Sequence, residues 1–371
     1  MEHLKKKGKE MAHLKKLPWE LIEEILSRVP PKSLVRFRTV SKQWNALFDD
    51  KMFITNHKMT FRFILATEYM VYSVSIDPVI VVRELTLGTP GLESLGIENL
   101  VDCNELLLCG KNNGAVVWNP WLGQSTWIEP SLIHSGMGFD GIGYDNNNYK
   151  IAASSPGNED DLWTTYDFPS DVWTDHDSEP DDRSNYVISV VSLNGTLYWV
   201  SFYDMNDPLC YVTKFDFSSG LFIKFCDLPC GRNHHDREAL VLGVFRGDRF
   251  SLLKQCMVTK KIEIWVTEKK INHDDVVWMN FMTFSSPNLP DLVETVTYTK
   301  PSYFIQDKRL VVCSCDNTGH AWIYILGDNK LISKIRIDCV VDPWPLHCTF
   351  VPSLVAVPVP CRKEELAEVQ V

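Results

Sequence analysis

The chain has 371 residues, 45% of them hydrophobic and 23% charged, a globular composition with length enough for more than one domain. Lys and Arg number 37 against 48 Asp and Glu, a net charge of −11 that argues against a surface built to hold nucleic acid or an anionic membrane. No apolar run reaches the roughly 20 residues of a membrane-spanning helix, and eleven scattered cysteines without a Cys-x-x-Cys pair read as reduced, mostly buried thiols and not as a zinc site.

Residues 1–16 read as a basic, flexible tail carrying Lys5, Lys6, Lys7, Lys9, Lys15 and Lys16. They lack the apolar core of a secretory signal, and the lysines also fit a nuclear-entry signal, which places the protein in the cytoplasm, the nucleus or both. Residues 17–57 are helical in pattern. Pro18 falls near a first helical position, where its missing N–H costs nothing, and Glu20, Glu23 and Glu24 suit the helix dipole. Leu21, Ile22, Ile25, Leu26 and Val29 form an apolar stripe. Pro30-Pro31 closes this helix and opens a second with Leu34, Phe37 and Val40; Ser41 is a candidate N-cap for a third, with Trp44, Leu47 and Phe48. Some 40 residues of helix are too few for a self-sufficient core, so the stripes pack either on the rest of the chain or on another protein.

The segment LPWELIEEILSRVPPKSLVRFRTVSKQWNALF, Leu17 to Phe48, resembles a plant-type F-box in its opening Leu-Pro, its Glu-Ile-Leu, its Pro-Pro-Lys-Ser-Leu and its Val-Ser-Lys-x-Trp. The resemblance implies a three-helix unit docking on the Skp-type adaptor of a cullin ubiquitin ligase. By position it implies Leu17, Pro18, Leu21, Ile25, Leu26, Pro30, Leu34, Val40 and Trp44 as the docking residues, and Leu26→Asp as a substitution that abolishes adaptor binding.

From residue 61 onward short runs of Val, Ile, Phe, Tyr and Trp alternate with turn residues. Val187–Val200 reads as a hairpin around Asn194-Gly195, a type I′ signal, which is also the bland reading of the Asn194-Gly195-Thr196 glycosylation sequon. Phe245–Leu253 repeats the form around Arg246-Gly247-Asp248. Strand-turn-strand units centre near 120, 169, 219, 270 and 328, with a weaker one at Asp77-Pro78. A period near 50 residues is that of a kelch-type propeller blade, which predicts about six blades, or seven, closed by a strand in 350–357. Residues 58–98 read as a connecting region or first blade, 99–357 as the β-domain, and 358–371 as a tail. DCNELLLCG, VVWNPWLGQSTWI, GIGYDNNNYKI, YDFPSDVW, VSLNGTLYWV, FDFSSGLF and VPSLV resemble, in order, the F-box-associated domain of the same plant family. The fold class expected is thus α+β and multidomain: a small helical F-box, then a kelch-like propeller.

Catalytic patterns are weak. Gly136 to Gly141 fits GxGxxG, but a dinucleotide fingerprint needs a strand before and a helix after, and GYDNNNYKI reads as strand and turn. Ser170-Asp171-Val172-Trp173 faintly resembles an Asp-box turn. His234-His235-Asp236 has no second cluster at ligand spacing, so no metal and no cofactor is expected. Residues 158–182 hold ten acidic residues and no Lys or Arg. With 203–209 and 231–238 they are candidate target-facing segments, through Asp175, Asp177, Glu179, Asp181, Asp182, His234 and His235. The resemblance implies a non-catalytic subunit: its partners are a Skp-type adaptor, through it a cullin, and a protein target, with no nucleic acid or membrane. The alternatives are a propeller glycoside hydrolase, which needs buried carboxylates at the propeller mouth, and a protein-binding module that acts without a cullin.

Overall fold

The computed structural model describes the chain except residues 1–16, 86–95, 104, 112, 131–137, 146–147, 155–162, 177–185, 205–206, 233–237, 257, 272–275, 293–299, 307, 341 and 362–371. It divides into two compact units, the first ending at Thr60 and the second beginning at Phe61.

Among its described residues the first unit has four short helices: α1 (Trp19–Leu26), α2 (Pro31–Phe37), α3 (Lys42–Asp49) and α4 (Lys51–Asn56). Pro18 is the N-cap of α1, and its carbonyl accepts from the amides of Leu21 and Ile22. Pro30 and Pro31 are the N-cap and first residue of α2. Ser41 caps α3 as the sequence predicts, its hydroxyl accepting from the Trp44 amide at 3.1 Å. The fourth helix is a correction to the expected three. Asp50 is extended, and its carboxylate accepts from the Met52 amide at 2.8 Å. That N-cap restarts the helix after α3 and buries Phe53 and Ile54, a run too short to show a stripe in sequence.

The second unit is a six-bladed propeller, each blade a four-stranded antiparallel sheet. Blade 1 contains β1 (Phe63–Ala66), β2 (Val71–Ser75) and β3 (Val81–Glu84). Blade 2 is β4 (Ile97–Asp102), β5 (Leu107–Lys111), β6 (Gly114–Asn119) and β7 (Gln124–Ile128). Blade 3 is β8 (Gly138–Asp145), β9 (Asn148–Ser154), β10 (Trp163–Asp167) and β11 (Val172–His176). Blade 4 is β12 (Tyr186–Leu193), β13 (Thr196–Asp204), β14 (Asp207–Asp216) and β15 (Leu221–Arg232). Blade 5 is β16 (Glu238–Phe245), β17 (Arg249–Cys256), β18 (Ile262–Thr267) and β19 (Trp278–Phe284). Blade 6 is β20 (Ser302–Gln306), β21 (Arg309–Cys315), β22 (Ala321–Gly327) and β23 (Lys330–Arg336). The last strand, β24 (Leu346–Thr349), pairs with β1 and completes blade 1 from the other end of the chain. Strands β24, β4, β8, β12, β16 and β20 are the innermost of their blades and ring the central channel.

The six turns read from the sequence are the hairpins joining the third and fourth strands of the six blades, counted outward from the channel. Asn194 and Gly195 take φ of 51° and 81°, and Arg246 and Gly247 take 54° and 79°, the left-handed pair that a type I′ turn requires. The expected closing strand at 350–357 is displaced to Leu346–Thr349. Pro352 lacks the amide a strand ladder needs, and the residues after Phe350 instead strap across blades 2 and 3. Asn119, fully buried, donates from Nδ2 to the Ser353 and Val355 carbonyls, while its Oδ1 accepts from the Trp121 and Leu122 amides. Thr126 Oγ1 donates to the Pro358 carbonyl, and the Cys361 amide to that of Phe168.

The apolar core lies between blades. Leu108, Val117 and Ile128 of blade 2 meet Phe139, Ile151 and Tyr166 of blade 3. Blade 6 meets blade 1 through Cys313, Cys315 and Ile323 against Phe63, Leu65 and Val74. Cys313 and Cys315 therefore share one buried face, as their alternation implies. The described cysteines are all unbridged; Cys339 and Cys361 are exposed.

Candidate functional site

In the first unit α1 has two apolar faces. Ile22 and Leu26 lie four apart on one, and Leu26 is only 2% exposed. Leu21 and Ile25 lie four apart on the other and are 50% and 53% exposed; Leu17, four residues before Leu21, is 56% exposed. Pro18, Pro30 and Val40 are exposed as well. Leu34 is fully buried, and Trp44 is half-buried, 5.6 Å from the Phe37 ring and 6.4 Å from that of Phe48. The aromatic run continues through Phe53 to His57, whose Nε2 lies 3.0 Å from the Val29 carbonyl and whose Nδ1 accepts from the Met59 amide. Burial lowers the His57 pKa from the ordinary imidazole value. The nine residues of the expected docking set therefore separate. Six are presented to solvent, Trp44 is shared, and Leu26 and Leu34 hold the helices together. Leu26→Asp would place a charge inside the unit itself.

In the second unit, the candidate segments 158–182, 203–209 and 231–238 include residues outside those described. The strand ends Ser154, Trp163, His176, Tyr186, Asp204, Asp207 and Arg232 of blades 3 and 4, and Glu238 of blade 5, share one face of the propeller by antiparallel topology. Asp177, Glu179, Asp181, Asp182, His234 and His235 lie outside the described residues. Asp175 is at the end of β11 on this face. Two other acids of the 158–182 run are at the opposite face, in the turn between β10 and β11. Asp167 accepts from Ser170, and Asp171 (φ 54°) accepts from the Tyr166 hydroxyl at 2.6 Å. They shape the hairpin that resembled an Asp-box.

The GxGxxG segment is strand from Gly138 onward, and no helix follows. The backbone after it docks on the next blade. A Cβ on Gly143 would stand 2.2 Å from the Gly195 carbonyl oxygen, and the Tyr144 amide donates to that same oxygen at 2.8 Å. Glycine is required here by close approach of the Asn194-Gly195 turn.

The channel holds polar residues that the sequence reading did not single out: Arg62, Asp140 and His347. Alternation marks a strand as half-buried but not as innermost, so nothing in the sequence flags them. Burial pushes the Asp140 carboxyl up to about 7, against the hydroxyl of Ser154 at 2.8 Å. Burial pulls His347 down to about 4 and Arg62 down to about 10. Asp102, also lining the channel, accepts from Thr349 Oγ1. Among the described residues no three His, Cys, Asp or Glu side chains converge as a metal site, and no helix is long and apolar enough to cross a membrane.

Comparison with known proteins matches the F-box domain over residues 14–56 and the F-box associated beta propeller domain over residues 62–357. F-box protein At2g14710 of Arabidopsis thaliana is 75% identical, covering 97% of this chain and all of its own. F-box/kelch-repeat protein At3g16580 is 59% identical over 96% of both chains, and Protein SUPPRESSOR OF NIM1 1 is 40% identical over 92% of this chain and 98% of its own, both from the same plant. The helical unit with its outward apolar stripe and the six-bladed unit after it are those two domains, and the chain belongs to the family of plant F-box proteins with an F-box-associated β-propeller.

Proposed function

We propose that this chain is the substrate receptor of a Skp–cullin–F-box ubiquitin ligase. F-box domains in general bind Skp-type adaptors. The observation that carries the reading is the stripe Leu17, Leu21 and Ile25, with Val40: large apolar side chains left in solvent by a unit that buries Leu26 and Leu34. A monomer seldom spaces exposed leucines and isoleucines four apart on one helix face without a partner to cover them. The propeller then holds a protein target beside the ubiquitin-charged enzyme, and its contribution to rate is proximity and orientation; no side chain of this chain does chemistry. We read the blades as kelch-like, on their period near 50 residues. We place the target on the face of blades 3 and 4 that carries Asp175, with the acidic residues 177–182 favouring a basic patch. The protein works in the cytoplasm, the nucleus or both.

Affinity purification of the tagged full chain from plant cells under proteasome inhibition tests the reading. A Skp-type adaptor, a cullin and a ubiquitinated protein should co-purify. Adaptor without cullin would instead favour a cullin-independent binding module. Neutralising Asp175, Asp177, Glu179, Asp181 and Asp182 together should reduce recovery of the target and leave the adaptor; unchanged target recovery would return the acidic run to a solvated loop.

A further inference from the structure

The inner strands enclose a cavity of about 620 Å³ along the propeller axis, within the range of about 300–1,000 Å³ typical of small-molecule sites. Channels of this kind are wet by default, since each inner strand turns a free hydrogen-bonding edge toward the axis. Two side chains set this one apart. Arg62, just before β1, lies with its guanidinium carbon 4.0 Å from the centroid of the Phe304 ring, and its Nε is buried without a hydrogen-bond partner. His347, on β24, is 8% exposed; its Nδ1 is 2.8 Å from Ser302 Oγ, and its Nε2 is buried without a partner. Both residues line the cavity.

The two orphaned nitrogens belong to one blade. Leu65 stands opposite His347, and the Arg62 carbonyl accepts from the Phe350 amide. The two residues are thus three positions apart along paired strands, about 10 Å at ~3.4 Å per residue. Val190 and Val191 of β12 and Val241 and Leu242 of β16 also contribute to the lining, which is therefore partly apolar. A guanidinium whose Nε–H is buried and unanswered is costly, and its planar fork matches a carboxylate. Glu98, Asp102 and Asp140 line the same cavity. The negative charge of Glu98 and Asp102 disfavours a phosphate dianion more than a singly charged carboxylate.

We propose that the propeller channel binds a small organic acid, its carboxylate on Arg62, a hydrogen-bonding group on His347 Nε2, and an apolar body between them. The site is lined by residues of the second unit alone.

The test uses the full chain with ¹⁵N-labelled histidine at constant pH. The probes are 3-(4-hydroxyphenyl)propionate, its neutral amide and inorganic phosphate, followed by NMR and calorimetry. The carboxylate should bind saturably at one site and shift the His347 resonances, with the amide weaker by about tenfold or more. Arg62→Gln should weaken the carboxylate by about tenfold to a hundredfold, Arg62→Lys by less, and His347→Gln should weaken it while leaving the amide unfavoured. No saturable binding of the carboxylate, equal binding of acid and amide, or equal binding to wild type and folded Arg62→Gln would each overturn the site. Binding of phosphate alone would overturn its ligand class. If Arg62→Gln fails to fold, the acid–amide difference on the wild-type chain and the His347→Gln variant still decide.

Discussion

Leu21 and Leu34 are both leucines of the apolar pattern, yet they do different work. Leu34 has no exposed surface and Leu21 is half exposed. Truncating Leu34 to Ala should lower amide-exchange protection in α1–α3 of the full chain by about 2–5 kcal/mol. Leu21→Ala should change it by no more than about 0.5 kcal/mol. Sequence spacing found both residues, but an apolar position on a short helix does not declare which partner covers it. Asp140 was out of reach for a related reason: its neighbours read as a glycine-rich strand and turn, and only the ring of inner strands buries it. Its carboxyl is raised to about 7 in the fold from 3.8, so the folded state holds a proton that the unfolded state releases. Stability from this group is therefore full below about pH 4 and falls by about 1.4 kcal/mol per pH unit up to about pH 7. Denaturant midpoints should show Asp140→Asn gaining on wild type as pH rises from 5 to 8; parallel profiles would place the proton elsewhere.

At the scale of the element, the hairpins were the legible part. Asn194, Gly195 and Gly247 tolerate the positive φ of their turns, and the outer hairpins recur at intervals that centre near 50 residues. What the hairpins dock against was not legible. Gly143, two residues beyond the Gly136–Gly141 pattern, is the point where β8 meets the 194–195 turn of the next blade. Gly143→Ala would drive a methyl group against the Gly195 carbonyl at 2.2 Å and the Phe217 ring at 2.6 Å. A loss of about 1–3 kcal/mol or more is expected in denaturant unfolding. Asn119 ties blade 2 to the C-terminal strap with four hydrogen bonds. Asn119→Ala leaves two buried carbonyls and two amides unanswered, so about 2–4 kcal/mol should be lost. The strap reads as a strand in sequence despite its prolines, because the Val and Leu between them keep an apolar pattern that extended chain without a ladder also satisfies.

Over the whole molecule, closure depends on four residues. Leu346–Thr349 supply the innermost strand of blade 1, whose other three strands begin near residue 63. A chain ending at Pro345 should lose the cooperative unfolding of the propeller in calorimetry, because blade 1 would keep a bare inner edge facing blades 2 and 6. An unchanged transition would mean the ring closes without it. Two-domain organisation was readable from the change of period at residue 60, from helical spacing to alternation. The way the ends of the propeller meet was not, since pairing between residues 63 and 349 leaves no local trace. The division of labour between units is what the functional reading rests on. The most direct measurement is calorimetric titration of a purified Skp-type adaptor into the full chain and into a Leu21→Asp, Ile25→Asp double variant. The wild-type chain should bind saturably, and the double variant should show no measurable binding while its propeller unfolding transition and α2–α4 exchange protection stay unchanged. Equal adaptor affinity in a folded double variant would contradict docking through the exposed stripe.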